Sequence, residues 1–356
     1  MVETMDLRTL CDRLRGAANE FDGPAAANWP EQQMQWLAEA GVFAWFVPEE
    51  YGGSSLNDVE QLEGYLALSE SCLTTAFILT QWNAACKRIG LSGNGPLKAR
   101  WLPGMAAGRT FATVGISHLT TSRQHVGKPA LEAHRSEGGS YRLSGISPWV
   151  TAASHADVLV TGATLSDGQQ ILCTVPSDRD GLTAGPGANL MALSASCTDA
   201  VRFSDVLVHE DELIAGPMPN VMQAGSGGGA GGLQTSTLAI GLAQAAVRYL
   251  QAEAESRSDL SMVANKLAAD VGLLRAGLMR LAKAEQSDSE LNPGRLREQA
   301  NSLVLRASQA ALAAAKGAGF MASHPCGRWC REALFFLVWS CPQPVMAANL
   351  CEFAQL

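Results

Sequence analysis

Ser140–Asp157 reads SYRLSGISPWVTAASHAD, and its alternation decides what kind of chain this is. Tyr141 and Leu143 alternate with polar residues, Gly145 breaks the run, and Trp149-Val150-Thr151 resumes it. The pattern predicts a tight turn followed by a strand pair. The next segment, Val158–Thr161, is a β-branched run of the kind that lies buried in a sheet. Further strands are expected at Phe111–Ser117, Ile171–Val175, Ala200–Phe203 and Val206–Val208. Asp167-Gly168, Asp180-Gly181 and Gly185-Pro186 supply turns between them. Short strands at regular spacing predict a small barrel or sandwich for residues 111–216.

On either side the period changes from two to between three and four. Asp6–Phe21, Glu31–Ala40, Asn57–Leu68 and Thr74–Arg88 carry apolar residues at helical spacing, so residues 1–110 read as a helical unit. Gly41–Gly53 interrupts it and is expected to be extended, ending in a Pro and Gly-Gly turn region. In residues 217–356, Gln234–Arg257, Leu260–Glu285 and Pro293–Lys316 predict three long helices joined by short polar turns, an antiparallel bundle. Gly225–Gly232 (GSGGGAGG) lacks the GxxxxGK[ST] pattern of a phosphate loop and reads as a linker. The fold class is therefore α+β multidomain: N-terminal helices, a middle β-barrel and a C-terminal four-helix-bundle-like unit.

Composition narrows the function classes. The formal charge is -8 over 356 residues and only 17% of residues are charged, which argues against a nucleic-acid surface. No run of about 18 apolar residues is free of charges and polar breaks, so no membrane span is expected. Met1–Asp6 is acidic and lacks a secretory pattern, which makes the expected location cytoplasmic. The nine cysteines are scattered. Cys326 and Cys330 lie four apart beside His324 but lack a second ligand pair, so no metal is expected and the thiols read as buried in a reducing compartment.

Several stretches resemble the acyl-CoA dehydrogenase superfamily. Ser140–Asp157 is similar to its Gly-Tyr-x-Leu-x-Gly-x-Lys-x-Trp-Ile-Thr-Asn segment, with Pro148 where Lys-x usually stands and Ala152 in place of the Asn. Gly41–Gly53 resembles its Val-Pro-Glu-Glu-Tyr-Gly-Gly signature, a structural motif rather than a catalytic one. Leu102–Gly108 and Thr198–Val208 match two further segments, the latter with His209 in place of a proline. The resemblance covers most of the chain. It implies a flavoprotein in which the Trp149 and Thr151 strand lies against the flavin ring, with FAD expected and FMN the alternative.

The same resemblance exposes what is missing. The family's catalytic Glu takes the α-proton of an acyl thioester while the flavin accepts hydride. Aligning Arg331-Glu332-Ala333 puts Ser340 at that Glu, and serine is no unassisted base near neutral pH. The earlier Glu position found in some members falls on Gly231 and Gly232, and the family's substrate-side arginine also becomes Gly232. Glu332 and Glu352 remain as bases that a misalignment would hide. In the loop after the first strand, Ile116, Ser117, Thr120, Thr121 and Ser122 retain hydroxyls and backbone for the flavin, and His118 stands where the family has Glu. A histidine there is a speculative acid or base; the plainer reading is a loop imidazole bonded to backbone. For the flavin's phosphate end the resemblance implies Arg257, Lys316, Gly317 and Gly319, acting across a dimer interface. The alternative for these glycines is an ordinary helix end.

Three functions follow from this. The first is a flavin-dependent oxidoreductase acting on an atypical acyl thioester or related small molecule. The second is a flavin monooxygenase on the same fold, and the third a non-catalytic homologue acting as a binding or assembly subunit. A homodimer or homotetramer is expected in each.

Overall fold

The computed structural model describes residues 5–21, 29–120, 128–223, 232–283 and 291–355. Several of its helices begin where a short polar side chain satisfies one of the first N–H groups. Asp6 caps α1 (Leu7–Ala17) by accepting from the Thr9 N–H at 3.0 Å. After α2 (Glu31–Glu39), Asn57 and Glu60 form a reciprocal capping box at the start of α3 (Asp58–Ser71). Then come α4 (Leu73–Gly90) and α5 (Gly95–Ala106). Thirteen of the 18 residues of α4 are buried, including Trp82, so this helix has hardly any solvent face.

Gly41–Gly53 is not extended. Val42–Phe46 and Glu49–Tyr51 are tight 3-10 turns, and extended backbone is confined to Val47 and Pro48. The cause is local: Gly41 takes φ +68°, which redirects the chain, and a tight turn lets Val42, Phe43 and Phe46 all face the core.

Among the described residues eight strands follow: β1 (Ala112–Gly115), β2 (Leu131–Arg135), β3 (Tyr141–Val150), β4 (Val158–Leu165), β5 (Gln170–Pro176), β6 (Leu182–Ala184), β7 (Asp199–Val208) and β8 (Leu213–Met218). A one-turn helix, α6 (Ser117–Thr120), separates β1 from β2. The strand order is β6-β7-β3-β2-β4-β5-β8, with β1 added parallel to β4. Inward residues from β2, β3, β4, β5 and β7 share one core, and β5 and β7 touch across it, so the sheet curls on itself. Two expected strand pairs are single strands. Tyr141–Val150 runs unbroken past Gly145 (φ +135°), whose Cβ would stand 2.3 Å from the Ala130 carbonyl oxygen. Ala200–Phe203 and Val206–Val208 belong to one strand, β7. In both cases an irregularity that sequence reads as a break is a bulge within a paired strand.

The chain ends in α7 (Leu233–Ser256), α8 (Ser261–Ala282), α9 (Pro293–Ala315), α10 (Pro325–Leu334) and α11 (Gln343–Ala354). These do not build a core of their own. Leu238, Ile240 and Leu242 of α7, Leu303 and Val304 of α9, Leu66 and Leu68 of α3, and Ile78 and Leu79 of α4 join one hydrophobic cluster. Among the described residues, no helix is long and apolar enough to cross a membrane and no group of His, Cys, Asp and Glu is arranged to hold a metal.

Candidate active-site cavity

A cavity of about 1900 Å³ lies where the curled sheet meets the helices. Its sheet wall carries Ile116, Ser117, Trp149, Thr151 and Thr198, and the start of α7 adds Gln234. From α3 and α4 come Tyr65, Phe77, Thr80 and Arg88. The segment after α10 contributes Phe335, Trp339 and Ser340.

Trp149 marks the sheet wall. A bulge between Ser147 and Val150 turns it out of the ladder, its φ is +55°, and 60% of it is exposed. A bulky residue in the left-handed region costs on the order of 1–3 kcal/mol, and such strain collects at functional sites. Beside it Thr151 is buried in a hydroxyl chain. Its Oγ1 lies 2.9 Å from the Thr198 Oγ1, which lies 2.8 Å from the Ser196 Oγ. The Thr113 hydroxyl donates to the Thr151 carbonyl at 2.7 Å. The Ser117 hydroxyl is spent locally, donating to the Pro148 carbonyl at 2.8 Å and so tying α6 to the Trp149 strand.

Another part of the lining is aromatic. Phe335 stacks on Trp339 (centroids 5.2 Å, planes 11° apart), and Phe77 meets both edge-on. The turn that carries them is held from below by Arg297, which is 1% exposed. Its guanidinium donates to the carbonyls of Phe336 (3.2 Å) and Trp339 (3.0 Å), and the Asn301 amide donates to Phe336 as well (3.1 Å). Burial lowers the Arg297 pKa to about 10. No sequence motif pointed to Arg297, which sits between Arg295 and Glu298 in an ordinary charged first turn of α9.

The expected site residues separate into two groups. Ile116, Ser117, Trp149, Thr151 and Ser340 come together on the cavity wall, Ser340 with φ +43°. Arg257, Lys316, Gly317 and Gly319 gather elsewhere, at the C-terminal end of α9. Arg257 donates to the Ala314 carbonyl at 2.7 Å and pairs with Glu253 (3.3 Å) and Asp259 (3.9 Å). Arg297 and Ala314 are 17 residues apart on α9, roughly 25 Å at 1.5 Å per residue. A Cβ on Gly317 would meet nothing within 4 Å, whereas one on Gly319 would stand 2.7 Å from the Ala315 Cβ. Gly319 thus serves helix-end packing. Ser122 and Gly231 lie outside the described residues.

The candidate bases lie off the cavity wall. His118 Nε2 is 2.8 Å from the Gly162 carbonyl oxygen, its buried Nδ1 has no partner among the described residues, and burial depresses its pKa. That is a neutral imidazole bonded to backbone. Glu332 is buried and paired with Arg328 at 2.9 Å, and Glu352 accepts from the Ser302 hydroxyl at 2.6 Å. Among the described residues, the only carboxylate lining the cavity is Asp58, in the first turn of α3.

An exposed indole beside a line of hydroxyls, in a cavity also lined by apolar and aromatic side chains, suits a flat ring of mixed polarity, and a flavin ring is such a group. The residues present therefore fit the ring end of a flavin.

Residues 4–109 match the family described as Acyl-CoA dehydrogenase, N-terminal domain. The chain is 27% identical over 246 residues to the mitochondrial short-chain specific acyl-CoA dehydrogenase of Bos taurus, a match spanning 68% of this chain and 59% of that one. Butyryl-CoA dehydrogenase from Megasphaera elsdenii has the same fold, with a TM-score of 0.81 at 17% identity over 98% of this chain and 97% of that one. So does TdsC, the dibenzothiophene monooxygenase of Paenibacillus sp. A11-2, with a TM-score of 0.78 at 19% identity over 96% and 94%. TdsC has also been solved with FMN bound.

Proposed function

The chain belongs to the acyl-CoA dehydrogenase superfamily, and on that premise we propose that it is a flavin-dependent oxidoreductase acting on an atypical acyl thioester or related small molecule. The observation that carries this reading is the cavity lining itself: Trp149, turned out by a bulge, beside the Thr151–Thr198 hydroxyls, with the Phe77, Phe335 and Trp339 aromatics lining the same cavity. Ile116, Ser117, Trp149 and Thr151 would hold the ring. FAD is the expected flavin and FMN the alternative. When bound, the flavin would supply hydride or electron transfer. The aromatic wall would exclude water and orient the substrate against it, and Arg297 would hold that wall in place. Lys316, exposed at the end of α9, and Arg257 remain the candidates for a phosphate end reached across subunits. Large exposed side chains at Phe320 (87%), Met321 (63%) and Leu350 (58%) support a homodimer or homotetramer, which sedimentation would detect.

The test is an absorbance spectrum of the purified protein before and after incubation with FAD, then FMN. Flavin bands that survive desalting support the proposal. Their absence under both conditions refutes it and favours a non-catalytic homologue.

One observation favours a second reading. With Ser340 at the family's Glu position and Asp58 the only lining carboxylate among the described residues, proton abstraction from a thioester has no obvious base. A monooxygenase on this fold does not need one. Incorporation of isotopically labelled oxygen into product, with reduced flavin supplied, would select that reading over dehydrogenation.

A further inference from the structure

Three uncharged polar side chains line the cavity from three different helices: Tyr65 from α3, Asn83 from α4 and Gln234 from the first turn of α7.

The geometry brings them to one place. Tyr65 is buried, with the Phe46 ring packed against its own (centroids 5.5 Å, planes 32° apart). Its hydroxyl points at the Leu79 carbonyl oxygen, 3.4 Å away. In an α-helix that oxygen accepts from the N–H four residues on, which here is that of Asn83. A helical side chain leans back over the turn before it, so the Asn83 amide covers the turn that the hydroxyl touches. Burial pushes the pKa of the hydroxyl up, and the side chains whose hydrogen bonding opposes that rise are Asn83 and Gln234.

The hydrogen-bonding capacity collected there is poorly used. A separation of 3.4 Å is long for an O–H···O bond. Asn83 is 3% exposed, and its Oδ1 has no partner among the described residues. Native proteins leave few buried polar atoms unpaired, and a leucine of similar volume would fill this space without the penalty. An amide turns readily about its last torsion, so Asn83 can offer either its N–H or its oxygen to whatever the cavity holds.

The chemistry of the cluster selects its ligand. A ketone or ester oxygen only accepts. An ammonium only donates, and no charge on these three side chains offsets its own. A hydroxyl donates and accepts through one atom, and carries no charge.

We propose that Tyr65, Asn83 and Gln234 form a hydroxyl-reading subsite, so that the molecule the cavity takes is hydroxylated rather than a plain alkyl thioester. This deepens the reading of the cavity as the substrate site and rests on it.

The test is calorimetric binding of hexanoyl-CoA and its α-, β- and ω-hydroxy analogues to the wild-type chain, Tyr65→Phe and Asn83→Leu. At least one analogue should bind the wild type about tenfold or more tighter than hexanoyl-CoA, and the preference should fall to about threefold or less in each variant. Both substitutions remove polar atoms and keep volume, and a ratio taken within one protein is insensitive to a general loss of stability. Phenol and toluene, which differ by a hydroxyl against a methyl group, repeat the comparison without a thioester, by ligand-observed NMR. A preference for phenol alone, lost in both variants, upholds the subsite and sinks the thioester reading. Hexanoyl-CoA binding as tightly as every analogue, and toluene as tightly as phenol, overturns the proposal and leaves the thioester reading standing. A preference untouched by both substitutions also overturns it, because the hydroxyl is then read elsewhere. Failure of the wild-type chain to bind any probe overturns both.

Discussion

Lys316 sits where the resemblance expects a glycine, and its backbone shows why. Its φ and ψ are +55° and −143°, a region that side chains strongly disfavour. The side chain is exposed, so no packing is lost with it. Lys316→Gly should therefore stabilise the chain by roughly 1 kcal/mol, read as a higher urea midpoint at unchanged slope. If Lys316 also holds a flavin phosphate, the same variant should weaken FAD binding. A second prediction concerns His118. Its folded pKa lies below the ordinary value of 6.5, with desolvation the main cause, so the unfolded chain binds the proton first as pH falls. Stability should thus decline as pH drops below about 6.5, flattening once the folded imidazole also protonates. His118→Gln should reduce that decline. The exposed His155, also depressed by desolvation, should contribute only a small part of what remains. Flavin uptake that titrated with His118 and vanished in the variant would instead restore its place in the chemistry.

At the scale of elements, the crossing of α3 and α7 leaves no slack. A Cβ on Gly241 would stand 2.0 Å from the Ser69 Oγ and 2.8 Å from the Leu66 carbonyl oxygen. The hydroxyl has other rotamers, but the backbone oxygen cannot move alone, so Gly241→Ala should destabilise by about 1–3 kcal/mol in equilibrium unfolding. A neutral result would mean that the helices can part at this point. Elements of this kind were legible in the sequence because burial imposes a period: α3, α4, α7 and α9 follow their apolar spacing, and β4 its β-branched run. The bulges were not legible. Gly145 looks like a break and Trp149 like a regular strand residue when the chain is read alone, since the partner strand that reveals each bulge is distant in sequence. The residues facing the cavity were partly legible, where Trp149, Thr151 and Ser340 fall on a family pattern. Arg88 and Arg297 fall on none. What sets Arg297 apart is its burial against the Phe336 and Trp339 carbonyls, and that is a property of three dimensions.

The whole molecule joins its two helical stretches through one core, although a curled sheet separates them in sequence. α3 and α4, with Leu66, Leu68, Ile78 and Leu79 in the shared core, are covered in part by α7, which begins more than 140 residues after α4 ends. This arrangement has a consequence for biogenesis. As the chain leaves the ribosome, the first helices are complete long before the surfaces that will cover them exist. For most of the time taken to translate, a face rich in leucine and aromatic residues has no native partner, which is the condition under which nascent chains aggregate or are held by chaperones. A fragment ending near residue 110 should accordingly be insoluble or molten when expressed alone, and should become soluble on co-expression with residues 217–356. A monomeric fragment with sharp thermal unfolding would show instead that the first helices can close on themselves and reopen to admit the last.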